Sequence, residues 1–593
     1  MVFPADRPVS AQQQGKSDLV VRTGRSFSLR PSQIVWPGLW LCFTLLLLIP
    51  TLCFLLVAFS PALFDQGGSW LTVQSFVDAL SGPTLRGLLD SFVVSVAAAA
   101  GALLVSVGLA WLVHRTNQRG RQIVTALTWT LLLVPSYLEA LGWESLLERN
   151  GVLSQIGIDA TPLRLVFMGP VGIAWILMTR GVPFSYLAVS AGLVGVGREY
   201  EDATRVHGGN RRDAFRIVFA ILLPALWSAI AIVFAESMSD FGVASTLAAG
   251  AHFPVATYSL YLAIDSMPIQ FPVASAVGWF LVVAAAVALF VQYRTLRGRS
   301  FAVLSGRTRP MPRQTLSLAG QLVGASFIVA FFSFAVGVPT VGAVSASLLK
   351  NFGASFTWSN VTLDNFQAAL SSADMASPLL LSARLAAITA TFTVLLGTLV
   401  GRVLSRRQVS AAGRLFDLLL LGSVALPSIV LGAGYIFAYN LPLLGSIGLN
   451  LYGTTLLLGM AYLAAALPTT TRLLVGPLAQ IQSSLVDAAR VHGAGELRAQ
   501  IATVLPLLAP SLLWAWLMTF SGTLLELPIS EILYPPGQEP LAVAITKLLE
   551  NYDFAGGSAM TIIAIVGMLV VIGAVLGITR LVIPNGWRQR HDR

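Results

Sequence analysis

The sequence predicts an all-α integral membrane protein of about twelve transmembrane helices, in two homologous halves related by a pseudo-two-fold axis. Three observations predict it. Of 593 residues, 55% are hydrophobic and only 11% charged, a balance that soluble domains of this length do not sustain. Apolar runs of about 20 residues, the length that crosses a bilayer, recur about six times in each half. Finally, Glu201-Asp202-Ala203-Thr204-Arg205-Val206-His207-Gly208 returns as Val486-Asp487-Ala488-Ala489-Arg490-Val491-His492-Gly493, about 285 residues later.

In chain order, residues 1–34 are polar, with Gln12-Gln13-Gln14, and read as a disordered cytoplasmic tail. The first half, 35–292, places spans at about 36–60, 89–113, 122–142 and 164–182, one ending near 237–242, and one at about 272–292. Its external segments are 61–87, a short loop with Glu144, Glu148 and Arg149, and the stretch before 271. Residues 293–318, rich in Arg, Gly, Ser and Pro, read as a cytoplasmic linker. The second half, 319–583, repeats the plan at about 319–345, 378–401, 415–438, 451–472, 502–523 and 558–582, before a tail at 584–593. Val134-Pro135-Ser136 is matched by Leu426-Pro427-Ser428, Gly142-Trp143 by Gly434-Tyr435, and Phe234 by Phe520. Small residues at 97–101 let helices pack closely where no hydrophobic effect drives them together.

Charge sets the orientation. The net charge is +10, but Lys and Arg concentrate in the N-terminal tail, 114–121, 198–216, 294–313, 402–414, 472–498 and 580–593. These polar stretches alternate with basic-poor ones, which places both termini and both repeated loops in the cytoplasm. No basic patch is interleaved with aromatics, which argues against nucleic-acid binding. Cys42 and Cys53 lie in the first span and read as small apolar residues. His207 and His492 match, but no metal-ligand spacing occurs, so no metal site is expected. There is no Gly-x-x-x-x-Gly-Lys-Ser/Thr phosphate loop and no Ser-His-Asp arrangement. The chain reads as a non-enzyme with no cofactor of its own. The first apolar run is long and follows a polar tail, so no cleavable signal peptide is expected.

The repeated loops, 199–224 and 484–506, explain themselves locally. Ala203, Thr204, Ala488 and Ala489 are small, so another protein can approach the helix backbone. Arg205 and Arg490 stand three residues after Asp202 and Asp487, which puts acid and base on one face. Gly208 and Gly493 stand where a helix stops in a left-handed conformation. Each loop then leads through an amphipathic stretch to Leu-Pro, at Leu223-Pro224 and Leu505-Pro506. One such loop could be an ordinary surface helix; two matched copies read as plugs for a soluble partner.

Carboxylates inside spans are costly and face the protein interior or water. Glu139 and Glu236 qualify in the first half, and Asp240 and Glu526 form an equivalent pair at the outer ends of matching spans. They read either as a transit or gate site for a cation, or as caps of broken helices and partners of Arg180 or Arg384.

The two loops resemble the EAA loop of ABC-importer permeases, and two in one chain resemble the fused permeases of the ferric-iron and thiamine type. The resemblance covers nearly all of the chain beyond the N-terminal tail. It implies the type I importer fold in the bacterial inner membrane. It also implies docking to an ATPase homodimer that holds ATP and Mg, and delivery by an extracytoplasmic solute-binding protein. The coupling residues it implies are Glu201, Asp202, Ala203, Arg205 and Gly208, with Asp487, Ala488, Arg490 and Gly493. The usual Glu-Ala-Ala is replaced by Asp202-Ala203-Thr204 and Asp487-Ala488-Ala489. The Gly-to-Pro interval is three residues longer in the first loop, which predicts a longer or bulged first docking helix. Ser239-Asp240-Phe241-Gly242, Glu526-Leu527-Pro528 and Tyr534-Pro535-Pro536-Gly537 look like the ferric type, although thiamine, polyamine and aminophosphonate permeases share the framework. The rival classes are an ion-gradient-driven secondary transporter and an integral-membrane enzyme, for which no polar catalytic cluster is evident.

Overall fold

A computed structural model describes residues 31–197, 199–296, 313–405, 411–424, 426–440, 446 and 450–582. The chain forms a short N-terminal unit, Met1–Cys42, and a main unit, Phe43–Arg593. The tails at 1–30 and 583–593, and most of the expected linker (297–312), lie outside the described residues. Among the described residues the structure is helical, with two isolated β-bridges and no strand.

Among the described residues, ten helices are long and apolar enough to cross a membrane, and twelve if each of two bent helix pairs is one span. The bent pairs fall at the spans expected at about 122–142 and 415–438. Helix Arg121–Leu133 turns by 94° into the helix that starts at Ser136, and Ala411–Val424 turns by 111° into Ser428–Tyr439. The cause is local. Pro135 and Pro427 cannot donate a backbone hydrogen bond, and a residue before proline is driven out of the helical region. Val134 is extended at φ −90°, ψ 118°. The turn also moves Glu144, expected in an external loop, into helix Ser136–Leu147. Glu148 caps that helix and holds Arg164 at 2.9 Å. The fourth span is displaced too: it is Pro170–Gly195 and runs through Pro183, a proline that tertiary packing accommodates in a transmembrane helix.

The halves carry the same elements in the same order. Helix Gly82–Arg115 corresponds to Ala373–Leu404, Pro170–Gly195 to Thr455–Gln480, Arg211–Ser239 to Glu496–Leu524, and Phe271–Leu296 to Phe554–Val582. Matched side chains stitch matched helices. Ser91 accepts from the N–H of Ala256 at 2.7 Å, and Ser382 from that of Leu541 at 2.8 Å. Each bond satisfies the first free donor of a short helix, Ala256–Asp265 or Leu541–Glu550.

The halves are interlocked through their opening helices. Each carries a π-turn, Thr44–Leu48 or Ser333–Gly337, followed by Pro50 or Pro339. Helix Ile49–Val57 packs on Ser428–Tyr439 of the second half, and Val338–Ser347 packs on Ser136–Leu147 of the first. Glycine makes this possible. A methyl group on Gly142 would strike the carbonyl of Pro339, and one on Gly434 the carbonyl of Pro50. In the first π-turn the carbonyls that lose helical partners accept side-chain donors: Tyr435 to Leu46 at 2.9 Å and Tyr439 to Leu45 at 2.8 Å.

Candidate functional site: two docking turns and a carboxylate cluster

The first docking element is helix Glu199–Val206, Gly208 at φ +75°, then helix Arg211–Ser239. The second is helix Ser483–Val491, Gly493 at φ +83°, then helix Glu496–Leu524. Both close in the same way. Gly209 N donates to Thr204 O at 2.8 Å, and Ala494 N to Ala489 O at 3.1 Å. Such six-to-one closure needs a left-handed residue just before it, which glycine adopts without strain. Nothing crowds a methyl group at Gly208 or Gly493, so backbone conformation alone demands glycine there. His207 and His492 each place Nδ1 2.8 Å from the carbonyl four residues back, Ala203 or Ala488.

The two docking helices have eight and nine residues, so the first is neither longer nor bulged. The second helix starts three residues after the glycine in both loops, at Arg211 and Glu496. The extra residues therefore lie within the following helix, before Pro224. What differs is the start of that helix. Asn210 and Asp213 form a reciprocal capping box in the first loop, with bonds of 2.8 to 3.1 Å. Gly495 gives the second no side-chain cap.

The outward face is common to both. Ala203, His207 and Gly208 are exposed, as are Asp487, Ala488, Arg490, His492 and Gly493; Asp202 is half-buried. Val206 and Val491 are 83% and 85% exposed, a large apolar side chain at the same position in each turn. The side chains of Glu201 and Arg205 lie outside the described residues.

Two of the carboxylates, Glu139 and Asp240, meet at the first broken helix. Glu139 is buried and receives the Thr179 hydroxyl at 2.8 to 2.9 Å. Asp240 Oδ1 accepts from Ser136 Oγ at 2.9 Å, across the break, and from Val243 N at 2.9 Å. Thr257 donates to the Asp240 carbonyl at 2.8 Å. Glu236 lies on the same helix, exposed, within electrostatic range of Arg180 and Asp240. In the second half Glu526 accepts from the N–H groups of Ile529 (3.0 Å) and Ser530 (3.1 Å). Asp240 and Glu526 thus both cap a broken helix. Ion pairing with Arg180 or Arg384 is not what holds them among the described residues. Arg180 instead donates to the carbonyls of Leu131, Leu132 and Val134 at 3.3, 3.2 and 2.9 Å, filling the open end of the broken helix.

Arg180 is expected as an ion-pair partner of the carboxylates and instead serves carbonyls; Thr179, Ser136 and Tyr462 are site residues that the sequence reading does not predict. For Ser136 the available signal was the repeat of Val134-Pro135-Ser136 as Leu426-Pro427-Ser428. Tyr462, which meets Ser530 Oγ at 2.6 Å, left none.

A duplicated helical bundle with paired broken helices and paired polar turns is the architecture of a two-half membrane protein. The profile of the family described as "Binding-protein-dependent transport system inner membrane component" matches residues 393–585. The chain is 26% identical to the ferric transport system permease protein of Actinobacillus pleuropneumoniae over 82% of its length and 70% of the relative. It is 26% identical to a putative ferric transport system permease protein of Haemophilus influenzae over 70% of its length, spanning 65% of that relative. It is 30% identical to the sulfate transport system permease protein of Salmonella typhimurium over 36% of its length and 74% of the relative. The chain belongs to this family: it is a multi-pass inner-membrane permease of a binding-protein-dependent ABC transporter. The ion-gradient and membrane-enzyme alternatives give way to that membership.

Proposed function

We propose that this permease is the translocation subunit of an ATP-driven importer for ferric iron or another small cationic solute. Its two halves, 35–292 and 319–583, enclose the pathway, and both termini face the cytoplasm. An ATPase homodimer carrying ATP and Mg grips the two turns, with contacts from Glu201, Asp202, Ala203, Arg205 and Gly208 and from Asp487, Ala488, Arg490 and Gly493. ATP binds one state of the assembly more tightly than the other, and that difference drives the helices from inward- to outward-facing. A loaded binding protein on the outer face then releases its solute between the halves. Glu139, Glu236, Asp240 and Glu526 line the route and favour positive charge.

The observation that carries this reading is the identity of the two turns: equal closure, equal left-handed glycines and equal exposed valines. A symmetric soluble partner requires such equivalence, and nothing inside the bundle does. The cationic substrate is supported by four carboxylates inside the bundle; one nitrogen of Arg180, Nη1, is committed to the carbonyls of Leu131, Leu132 and Val134. Co-purification from native membranes tests the proposal. A nucleotide-hydrolysing subunit that stays bound, and is lost when Gly208 and Gly493 are both changed to Asp, is the expected result. Uptake that persists without ATP and without such a subunit overturns it.

A further inference from the structure

Arg115 ends helix Gly82–Arg115 and is buried, 5% exposed, although it carries a charge. Its guanidinium donates to Leu193 O at 2.9 Å and Val196 O at 3.0 Å. Those carbonyls close helix Pro170–Gly195, three residues before the first docking helix begins at Glu199. One guanidinium nitrogen, Nη2, makes both bonds, at the tip of a side chain long enough to reach the end of the neighbouring helix. Any displacement of the docking helix at its entry is therefore felt at the end of the second span.

The chain just past Arg115 is tied to the other half. Gln314 N donates to Arg115 O at 2.8 Å, and Asn117 N donates to Gln314 O at 3.1 Å, forming the parallel bridge between Thr116 and Gln314. Leu316 N donates to Asn117 Oδ1 at 2.9 Å, and the buried Gln118 side chain donates to Gln321 O at 3.2 Å. Gln314 and Leu316 lead directly into helix Leu318–Phe332, the opening helix of the second half. That helix continues through the π-turn to Pro339, which presses on Gly142 of the broken helix bearing Glu139 and Ser136.

We infer that Arg115 is a positioning residue that passes movement of the first docking turn, through the end of the interdomain linker, to the opening helix of the opposite half. The inference rests on the importer reading. The route is contiguous: docking helix, Val196 carbonyl, Arg115, Gln314, helix Leu318–Phe332, Pro339, Gly142. The residue at the matching place in the second half by the Ser91–Ser382 offset, Arg406, lies outside the described residues. The bridge itself has no second copy, since one linker joins the two halves.

The test uses the complete complex in lipid nanodiscs, with its ATPase and its binding protein, and reads three quantities: bound ATPase, basal ATP hydrolysis, and stimulation by loaded binding protein. Arg115→Gln, which cannot hold both carbonyls, keeps the ATPase bound and the basal rate within about twofold of wild type. It loses most of the stimulation and lowers solute moved per ATP by about tenfold, the loss of roughly one buried hydrogen bond. Arg115→Lys restores part of the stimulation. Gln314→Pro, which deletes the N–H given to Arg115, reproduces the uncoupling, whereas Gln314→Ala, which keeps the backbone bridge, behaves as wild type. Full stimulation in Arg115→Gln or Gln314→Pro overturns the route. So does loss of ATPase binding in Arg115→Gln, which makes the residue a support of the docking helix alone. A wild-type complex that binds no ATPase at all removes the importer reading, and the route with it.

Discussion

The two polar turns are near copies, while the two broken-helix regions are not. Both turns end in left-handed glycine, both stack a histidine on the alanine carbonyl four residues back, and both expose a valine. Inside the bundle the repeat has drifted. Glu139 corresponds to Leu431, which is 2% exposed, and Glu236 corresponds to Gly522. Arg180 closes the first broken helix, whereas Ala465 stands at its place in the matched helix Thr455–Gln480. Asp240 reaches across its break to Ser136; Glu526 bonds within its own turn. On the proposed reading, the difference separates surfaces that meet a symmetric object from surfaces that do not. A homodimeric ATPase would constrain both turns alike. A single solute passing between the halves imposes no such equality, so one half is free to hold most of the charge.

The comparison breaks most severely at the glycines. Gly208→Asp and Gly493→Asp each force a side chain into a left-handed conformation, at about 1–2 kcal/mol, and put an acid at the partner surface. Each alone is expected to abolish transport, with the protein still inserted in the membrane, as is Asp202 and Asp487 both changed to Lys. Uptake assays that find one turn dispensable would make the copies unequal in use.

The interior differs in the opposite sense. Asp240→Asn weakens charge-assisted bonds that join two elements across the break, so uptake should fall by tenfold or more, since such bonds contribute about 1.5–3 kcal/mol. Glu526→Gln, confined to its own turn, should fall less. Equal losses in a transport assay would argue that the two carboxylates act as one symmetric gate.

Packing between the halves sharpens the comparison further. Gly142→Ala and Gly434→Ala each drive a methyl group into a proline carbonyl of the opposite half. A loss of about 1–3 kcal/mol is expected from overpacking at each, read as a lowered unfolding temperature in detergent. A much smaller shift at one site would show that the two interlocks differ in rigidity. The smallest effect belongs to the exposed valines. Val206→Ala and Val491→Ala should leave the isolated permease within about 0.5 kcal/mol of wild type. Titration of the partner should show weaker ATPase binding, by similar amounts for both.

Much of this molecule was legible in one dimension. Apolar runs and a duplicated polar octet specify membrane spans and a pair of matched turns, because each depends on residues close together in sequence. The glycine stops were readable for the same reason: a left-handed turn is a property of one residue. Val134-Pro135-Ser136 was visible as a repeat, but only the fold revealed that the chain bends there by 94° and that Ser136 reaches Asp240. Folding alone set Gly142 against Pro339, gave Thr179 to Glu139 and locked Arg115 onto Leu193 and Val196. These contacts join segments tens to hundreds of residues apart. In a bilayer, where apolar surface gives helices no preferred neighbour, small residues and scattered hydrogen bonds choose the partners. Their positions carry no periodic signal along the chain.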